Sequence, residues 1–162
     1  MPSASIVFVD TNVLVYSEDR AHLEKHAAAR RWLRELWLRR CGRVSTQVLN
    51  EFYVVATRKL KPAMPAGDVR AEVRRYQRWQ PWSVDHATVE AAWAVESRYG
   101  VHYWDALMVA AAQQQGCCAL LTEDLQHDQV IDGVRILNPF ITGPEWLDNP
   151  SLDNPGPAPA AP

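Results

Sequence analysis

The spacing of apolar positions changes along this chain, and each spacing predicts a different element. Residues 6–9 (IVFV) form an unbroken apolar run, which suits a strand buried on both faces of a parallel sheet. A short helix is expected directly after Asp10. From His22 to Arg40 the apolar residues Ala29, Trp32, Leu33, Leu36 and Trp37 recur at helical spacing. Arg30, Arg31, Arg34 and Arg39 lie off that stripe, and Gly42 is expected to close the helix. RVS (43–45) reads as a brief strand. A second helix starts near Ser45 or Thr46, either of which can cap it, carries Val48, Phe52, Val55 and Ala56, and ends before Pro62 and Pro65.

A third helix is expected over 68–79, with Arg70, Arg74, Arg75 and Arg78 along it. WSV (82–84) reads as a strand. Helices follow over 86–99 and 103–115, separated by Gly100, and CALLT (118–122) and VRIL (134–137) read as strands. Strands alternating with helices predict an α/β fold with a mainly parallel sheet. After Gly143 the pattern stops. The segment GPEWLDNPSLDNPGPAPAAP holds six of the eleven prolines, so residues 1–142 are read as the folded domain and 143–162 as an extended, flexible tail.

Composition narrows the class. The 162 residues are one domain's worth. No apolar run approaches the roughly 18 residues of a membrane span, and the N-terminus lacks the layout of a secretory signal. No membrane association is therefore expected. Cys41, Cys117 and Cys118 are odd in number and form no C-x-x-C pattern, which fits reduced thiols and a cytoplasmic location. The net charge of −2 conceals a split: residues 1–100 carry 16 Lys/Arg against 11 Asp/Glu, whereas 101–162 carry one basic residue, Arg135, against eight acids. Such a split fits a basic surface for nucleic acid with an acidic site elsewhere, although solvated helix faces give the same count.

The acids carry the candidate chemistry. In open α/β sheets functional residues collect at the carboxyl ends of strands. Asp10 ends the first predicted strand, and Glu123 and Asp124 follow CALLT. Glu51 lies beside an apolar helical stripe, and Asp105 stands in a first helical turn between Trp104 and Ala106. Taken singly, each has a structural reading: a cap for Asp10, a dipole partner for Asp105, an outward or Arg-paired side chain for Glu51, a turn for Glu123 and Asp124. Taken together and dry, they would repel one another without a cation. All are oxygen donors, which suits Mg²⁺ or Mn²⁺ and not zinc. His22 and His26, an i, i+4 pair, read as a surface face, and His102 stands near Asp105 without a pattern of its own.

Four segments, FVDTNVLVY, VLNEFYVVATRK, YWDALMVAAAQQQGCCALLTEDLQ and ILNPF, in this order and spacing, resemble the PIN-domain ribonucleases, specifically the VapC-type toxins of toxin–antitoxin pairs. The resemblance runs to about Phe140. It implies a three-layer α/β/α fold around a short sheet and a metal-dependent endoribonuclease, assisted by Mg²⁺ or Mn²⁺, leaving a 5′-phosphate. Asp10, Glu51, Asp105 and Asp124 match the family's catalytic acids, with Asp10, Asp105 and Asp124 as metal ligands. Asp128 and Glu123 are alternatives for the fourth position. Thr11, Asn12 and Thr122 match the polar residues near the first and last acids. The resemblance also implies an RNA substrate, a small antitoxin protein whose tail crosses the catalytic groove, and a homodimer. The polyanionic substrate needs a basic rim, for which the arginines of 30–43 and 70–78 are candidates.

Three rivals share parts of this pattern. A haloacid-dehalogenase-type phosphotransferase wants D-x-D, and position 12 is Asn. A receiver domain wants a late lysine, and none follows Lys61. A catalytically silent module of the same fold, binding RNA or protein, keeps the acids without the reaction.

Overall fold

A computed structural model describes residues 5–150. Its centre is a five-stranded sheet in the order β2-β1-β3-β5-β4. The strands are β1 (Val7–Val9), β2 (Gly42–Arg43), β3 (Ala119–Leu121), β4 (Val130–Ile131) and β5 (Val134–Leu137). All pair in parallel except β4, which runs antiparallel to β5. The central strands are wholly buried, as expected of a sheet covered on both faces. Six helices supply the cover: α1 (Thr11–Tyr16), α2 (Leu23–Arg39), α3 (Thr46–Arg58), α4 (Ala66–Arg75), α5 (His86–Tyr99) and α6 (Tyr103–Gln114). This is the expected three-layer α/β/α arrangement of the PIN fold. No helix among the described residues is long and apolar enough to cross a membrane.

Local chemistry sets the boundaries. Ser45 caps α3 by accepting from the Val48 amide, and Asp85 caps α5 by accepting from the Thr88 amide. Gly100 ends α5 at φ 66°.

The other end of α2 departs from expectation. Arg40, not Gly42, takes the left-handed position at φ 55°. Gly42 is required for another reason: a Cβ there would lie 2.5 Å from the Trp79 ring. Trp79 belongs to a 3-10 turn, Tyr76–Trp79, into which the predicted 68–79 helix tightens. WSV (82–84) is no full strand; Trp82 makes one parallel bridge to Ser45.

The segment after Gly143 also differs from the extended tail predicted for it. Pro144–Asp148 is a 3-10 turn with Pro144 and Leu147 buried. It is held against α2 by ion pairs Arg31–Glu145 and Arg39–Asp148 (2.8 Å), beside a bond from Trp32 Nε1 to the Thr142 carbonyl at 2.8 Å. The remainder of the predicted tail, 151–162, lies outside the described residues.

A candidate metal centre at the carboxyl ends of β1 and β3

The site begins where β1 stops. The Asp10 amide donates to the Leu121 carbonyl at 3.0 Å, which extends the β1–β3 ladder by one step and fixes the Asp10 side chain beside Thr122. Thr122 Oγ1 donates to Asp10 Oδ2 at 2.7 Å, and the Asp124 amide donates back to Thr122 Oγ1 at 3.1 Å. Asn12, in the first turn of α1, donates through Nδ2 to Asp10 Oδ2 (3.2 Å) and to Asp124 Oδ2 (3.1 Å). Asp10 occupies the N-cap position of α1 by its backbone but makes no capping bond with its side chain. The cap reading of Asp10 therefore fails; its carboxylate faces other acids.

Asp105 comes from the first turn of α6. Oxygen atoms of Asp10, Asp105 and Asp124 all lie within 4.8 Å of one another. Glu51 stands beside them on α3 with both oxygens bound: Thr11 Oγ1 donates at 2.7 Å and Gln47 Nε2 at 3.0 Å. Gln47 Nε2 also reaches the Trp104 carbonyl at 3.2 Å, tying α3 to the start of α6. All four acids line one pocket of about 440 Å³, together with Tyr16, His22, Lys59, Trp104 and Glu123.

The electrostatics follow from this crowding. Asp10 is 3% exposed. Burial, then the charges of Asp124 and Asp105, push its carboxyl up from 3.8 to about 7, against the bond from Thr122 that lowers it. Asp105 is raised by burial and by Asp124 and Glu51, while His102 opposes the shift. A group of carboxylates held this close is unfavourable in the ionised state unless a cation joins it.

The residues fit such a cation. The ligand set is oxygen only, which suits a hard divalent ion. Because the Asn12 amide nitrogen must face two carboxylates, its Oδ1 is left as a buried acceptor with no partner. A bound ion or its water would satisfy that atom.

The competing positions separate cleanly. Glu123 points to a cation: Lys25 Nζ lies 2.7 Å from it, and the Tyr16 hydroxyl donates to it at 2.9 Å. Asp128 pairs with Arg135 (3.6 Å) and His127 (3.5 Å), outside the cluster. Asp124 is thus the fourth acid by position. His26 bonds the Tyr16 carbonyl at 3.0 Å, whereas His22, paired with Asp19 at 2.8 Å, stands on the pocket rim.

The expected arginine rim is a miss: no arginine of 30–43 or 70–78 lines the acid pocket, whose basic neighbours are Lys59 and His22. Those arginines lie elsewhere: Arg31, Arg34 and Arg39 beside the Pro144–Asp148 turn, Arg70 and Arg74 beside α3, and Arg40, Arg43 and Arg78 beside Trp37 and Trp79. Gln47, Lys59 and Trp104 were not anticipated. Gln47 had a readable signal, standing one helical turn before Glu51.

A parallel sheet whose two central strands end in a cluster of carboxylates defines an α/β protein with an acidic, metal-type centre. A family model for the PIN domain matches residues 7–132. The chain belongs to the PIN domain family. Among solved structures, it is similar to VapC20 of Mycobacterium tuberculosis, described as a toxin that cleaves the sarcin–ricin loop. That match has a TM-score of 0.56 and 22% sequence identity, covering 73% of this chain and 91% of VapC20. No curated protein matches the chain in sequence.

Proposed function

We propose that this protein is an endoribonuclease dependent on Mg²⁺ or Mn²⁺, acting in the cytoplasm as the toxin of a toxin–antitoxin pair. The observation that carries the reading is the convergence of Asp10, Asp105 and Asp124, from three distant parts of the chain, within 4.8 Å. Its substrate class is a folded RNA, as supported by the shared fold with a toxin that cleaves such a loop. Residues 1–142 carry the domain, Pro144–Asp148 docks on it as a turn, and a small antitoxin and a second copy of the chain are its protein partners.

Asp10, Asp105 and Asp124 would hold the cation. When bound, it neutralises charge on the phosphoryl oxygens and lowers the pKa of water. The chain's own residues do the positioning. Thr122 and Asn12 fix the Asp10 carboxylate so that its lone pairs face the pocket. Thr11 and Gln47 hold Glu51, which orients the attacking water or takes its proton. Water oxygen attacks phosphorus, the 3′-oxygen leaves and gains a proton, and the products are a 5′-phosphate and a 3′-hydroxyl. Lys59, at the pocket wall, faces the phosphate backbone.

The test is cleavage of a structured RNA with Mg²⁺ or Mn²⁺, with EDTA, and in Asp10→Asn. Cleavage that needs the metal and vanishes in the variant supports the proposal. Tight RNA binding without cleavage under any divalent metal would assign the site to a silent binding module instead.

A further inference from the structure

Five side chains from separate segments enclose a second cavity of about 320 Å³: Trp37 near the end of α2, Arg40 and Arg43 around the start of β2, and Arg78 and Trp79 in the turn after α4. Every polar group these side chains offer is a donor, either guanidinium or indole N–H. Among the described residues no acid lines the cavity and none pairs with Arg40, Arg43 or Arg78. Arg43 Nη1 bonds only the Gly42 carbonyl, at 2.8 Å. Arg31, Arg39, Arg75 and Arg98, by contrast, each face a carboxylate.

The cavity is built and not incidental. Trp79 is 2% exposed, and its indole Nε1 has no acceptor. Its ring reaches this place because residue 42 is glycine. The Trp37 and Trp79 rings lie 4.8 Å apart at 42°. A ligand for such a lining must be negatively charged and rich in acceptors.

We propose that this cavity is a second RNA-binding site, taking a backbone phosphate from a part of the substrate remote from the cut. The proposal rests on the reading of the acid pocket as an RNA-cleaving centre. In register, Gly42 pairs with Val7 and Arg43 with Phe8, whereas the acids stand beyond the end of β1. A substrate touching both sites must pass around the β2 edge. Only a folded or long RNA does so; a short oligonucleotide fills the acid pocket alone.

The test uses the full chain with Arg40→Glu and Arg78→Glu, both at exposed positions, separately and together, with thermal melting to verify the fold. Cleavage is measured on a folded RNA of tens of nucleotides and on a single-stranded tetranucleotide. Direct binding of the folded RNA is measured in Ca²⁺ at several salt concentrations. The double variant is expected to raise KM for the folded RNA about 10- to 100-fold with kcat unchanged. Tetranucleotide cleavage is expected to hold, and the log–log salt slope to fall by about one per arginine.

Unchanged folded-RNA kinetics and binding overturn the proposal, as does an equal loss on both substrates. Loss of antitoxin binding with RNA kinetics intact assigns the cavity to a protein and also overturns it. Micromolar binding of a mononucleotide, abolished by the variants while RNA kinetics hold, assigns it to a free nucleotide. Should the wild-type chain cleave nothing, binding of folded RNA weakened by the variants still supports this site, while the nuclease reading falls.

Discussion

Two cavities of similar size lie on this domain, and they are chemical opposites. The acid pocket gathers carboxylates at the carboxyl ends of β1 and β3, where Asp10 is buried and held by Thr122 and Asn12. The arginine–tryptophan cavity gathers donors on the β2 edge, and its arginines have no answering acid among the described residues. In the first, like charges are forced together inside the fold, so the site is rigid and electrostatically unfinished. In the second, like charges stand at the surface, where water tolerates them and packing cost is low. The difference teaches where function is concentrated: a cation must complete the acid pocket before it can approach a polyanion, whereas the basic cavity can meet one directly.

The sharpest break of this comparison is Asp10→Asn. Losing the ligand that both central strands position should reduce RNA cleavage by about 10³-fold or more, by analogy with the loss of a single preorganised electrostatic group. The folded-RNA affinity measured in Ca²⁺ should fall far less, because the basic cavity is untouched. A proportionate loss of binding would mean that the acid pocket carries affinity as well as chemistry.

The same substitution should stabilise the metal-free fold. The folded pKa of Asp10 is raised to about 7 from 3.8. Between those values the unfolded chain is ionised while the folded chain keeps its proton. Asp10 therefore costs stability as pH rises from about 4 to about 7, and the cost then levels off. Its full size is of order 4 kcal/mol. In EDTA the melting temperature of the wild type should drop relative to Asp10→Asn across that window, at about 2–4 °C per kcal/mol for a domain of this size. Saturating Mg²⁺ should raise the wild type and leave the variant nearly unmoved. A difference between the two proteins that stays flat with pH would show that Asp10 ionises freely in the fold.

A lesser effect is expected one step out. Thr122→Val removes the 2.7 Å bond that holds the Asp10 carboxylate and should cost about 10- to 100-fold in activity or metal affinity, as residues behind metal ligands generally do. Asn12→Ala removes the link between Asp10 and Asp124 and should fall in the same range.

The two cavities also differ in how far the chain announces them. Asp10, Asp105 and Asp124 were legible because each stands at the end of a strand or near a helix start, and Glu51 because it lies beside the apolar stripe of its helix. Thr122, the last residue of CALLT, was marked only by the family resemblance. The acid centre is thus a consequence of secondary structure plus one rule about parallel sheets. The basic cavity is not. Its parts are separated in sequence by α3 and α4, and they meet because Trp79 packs on Gly42, a glycine whose sequence context reads as a helix stop. The arginines were visible, but their direction was not: none of those on α2 or in the turn after α4 lines the acid pocket. Two-residue β4 shows no period that a pattern could reveal. The docking of Pro144–Asp148 depends on long-range partners on α2 that proline content does not encode.

A smaller structural prediction probes that contact. Gly42→Ala places a methyl group within 2.5 Å of the Trp79 ring and should cost about 1–3 kcal/mol. Trp79 must shift, so folded-RNA binding should weaken while tetranucleotide cleavage persists. If both activities fall together, the β2 edge and the acid pocket are mechanically one unit, and the separation drawn above is wrong.

The smallest effect expected concerns arginines that already have partners. Glu145→Gln with Asp148→Asn frees Arg31 and removes one of the two carboxylates on Arg39, which keeps Glu35 at 3.2 Å. These pairs are exposed, 60%/68% and 36%/66%, so together they should contribute no more than about 1 kcal/mol to stability. If bare positive charge were what binds RNA, this gain of two charges should tighten it about half as strongly, in free energy, as the four-charge change of Arg40→Glu with Arg78→Glu weakens it. The expectation here is a change of less than about threefold, with a slightly steeper salt slope. What distinguishes Arg40, Arg43 and Arg78 is not their charge but their common wall with two indoles, whose buried N–H groups lack acceptors. A large gain from this double variant would reduce the second cavity to one portion of a diffuse basic face.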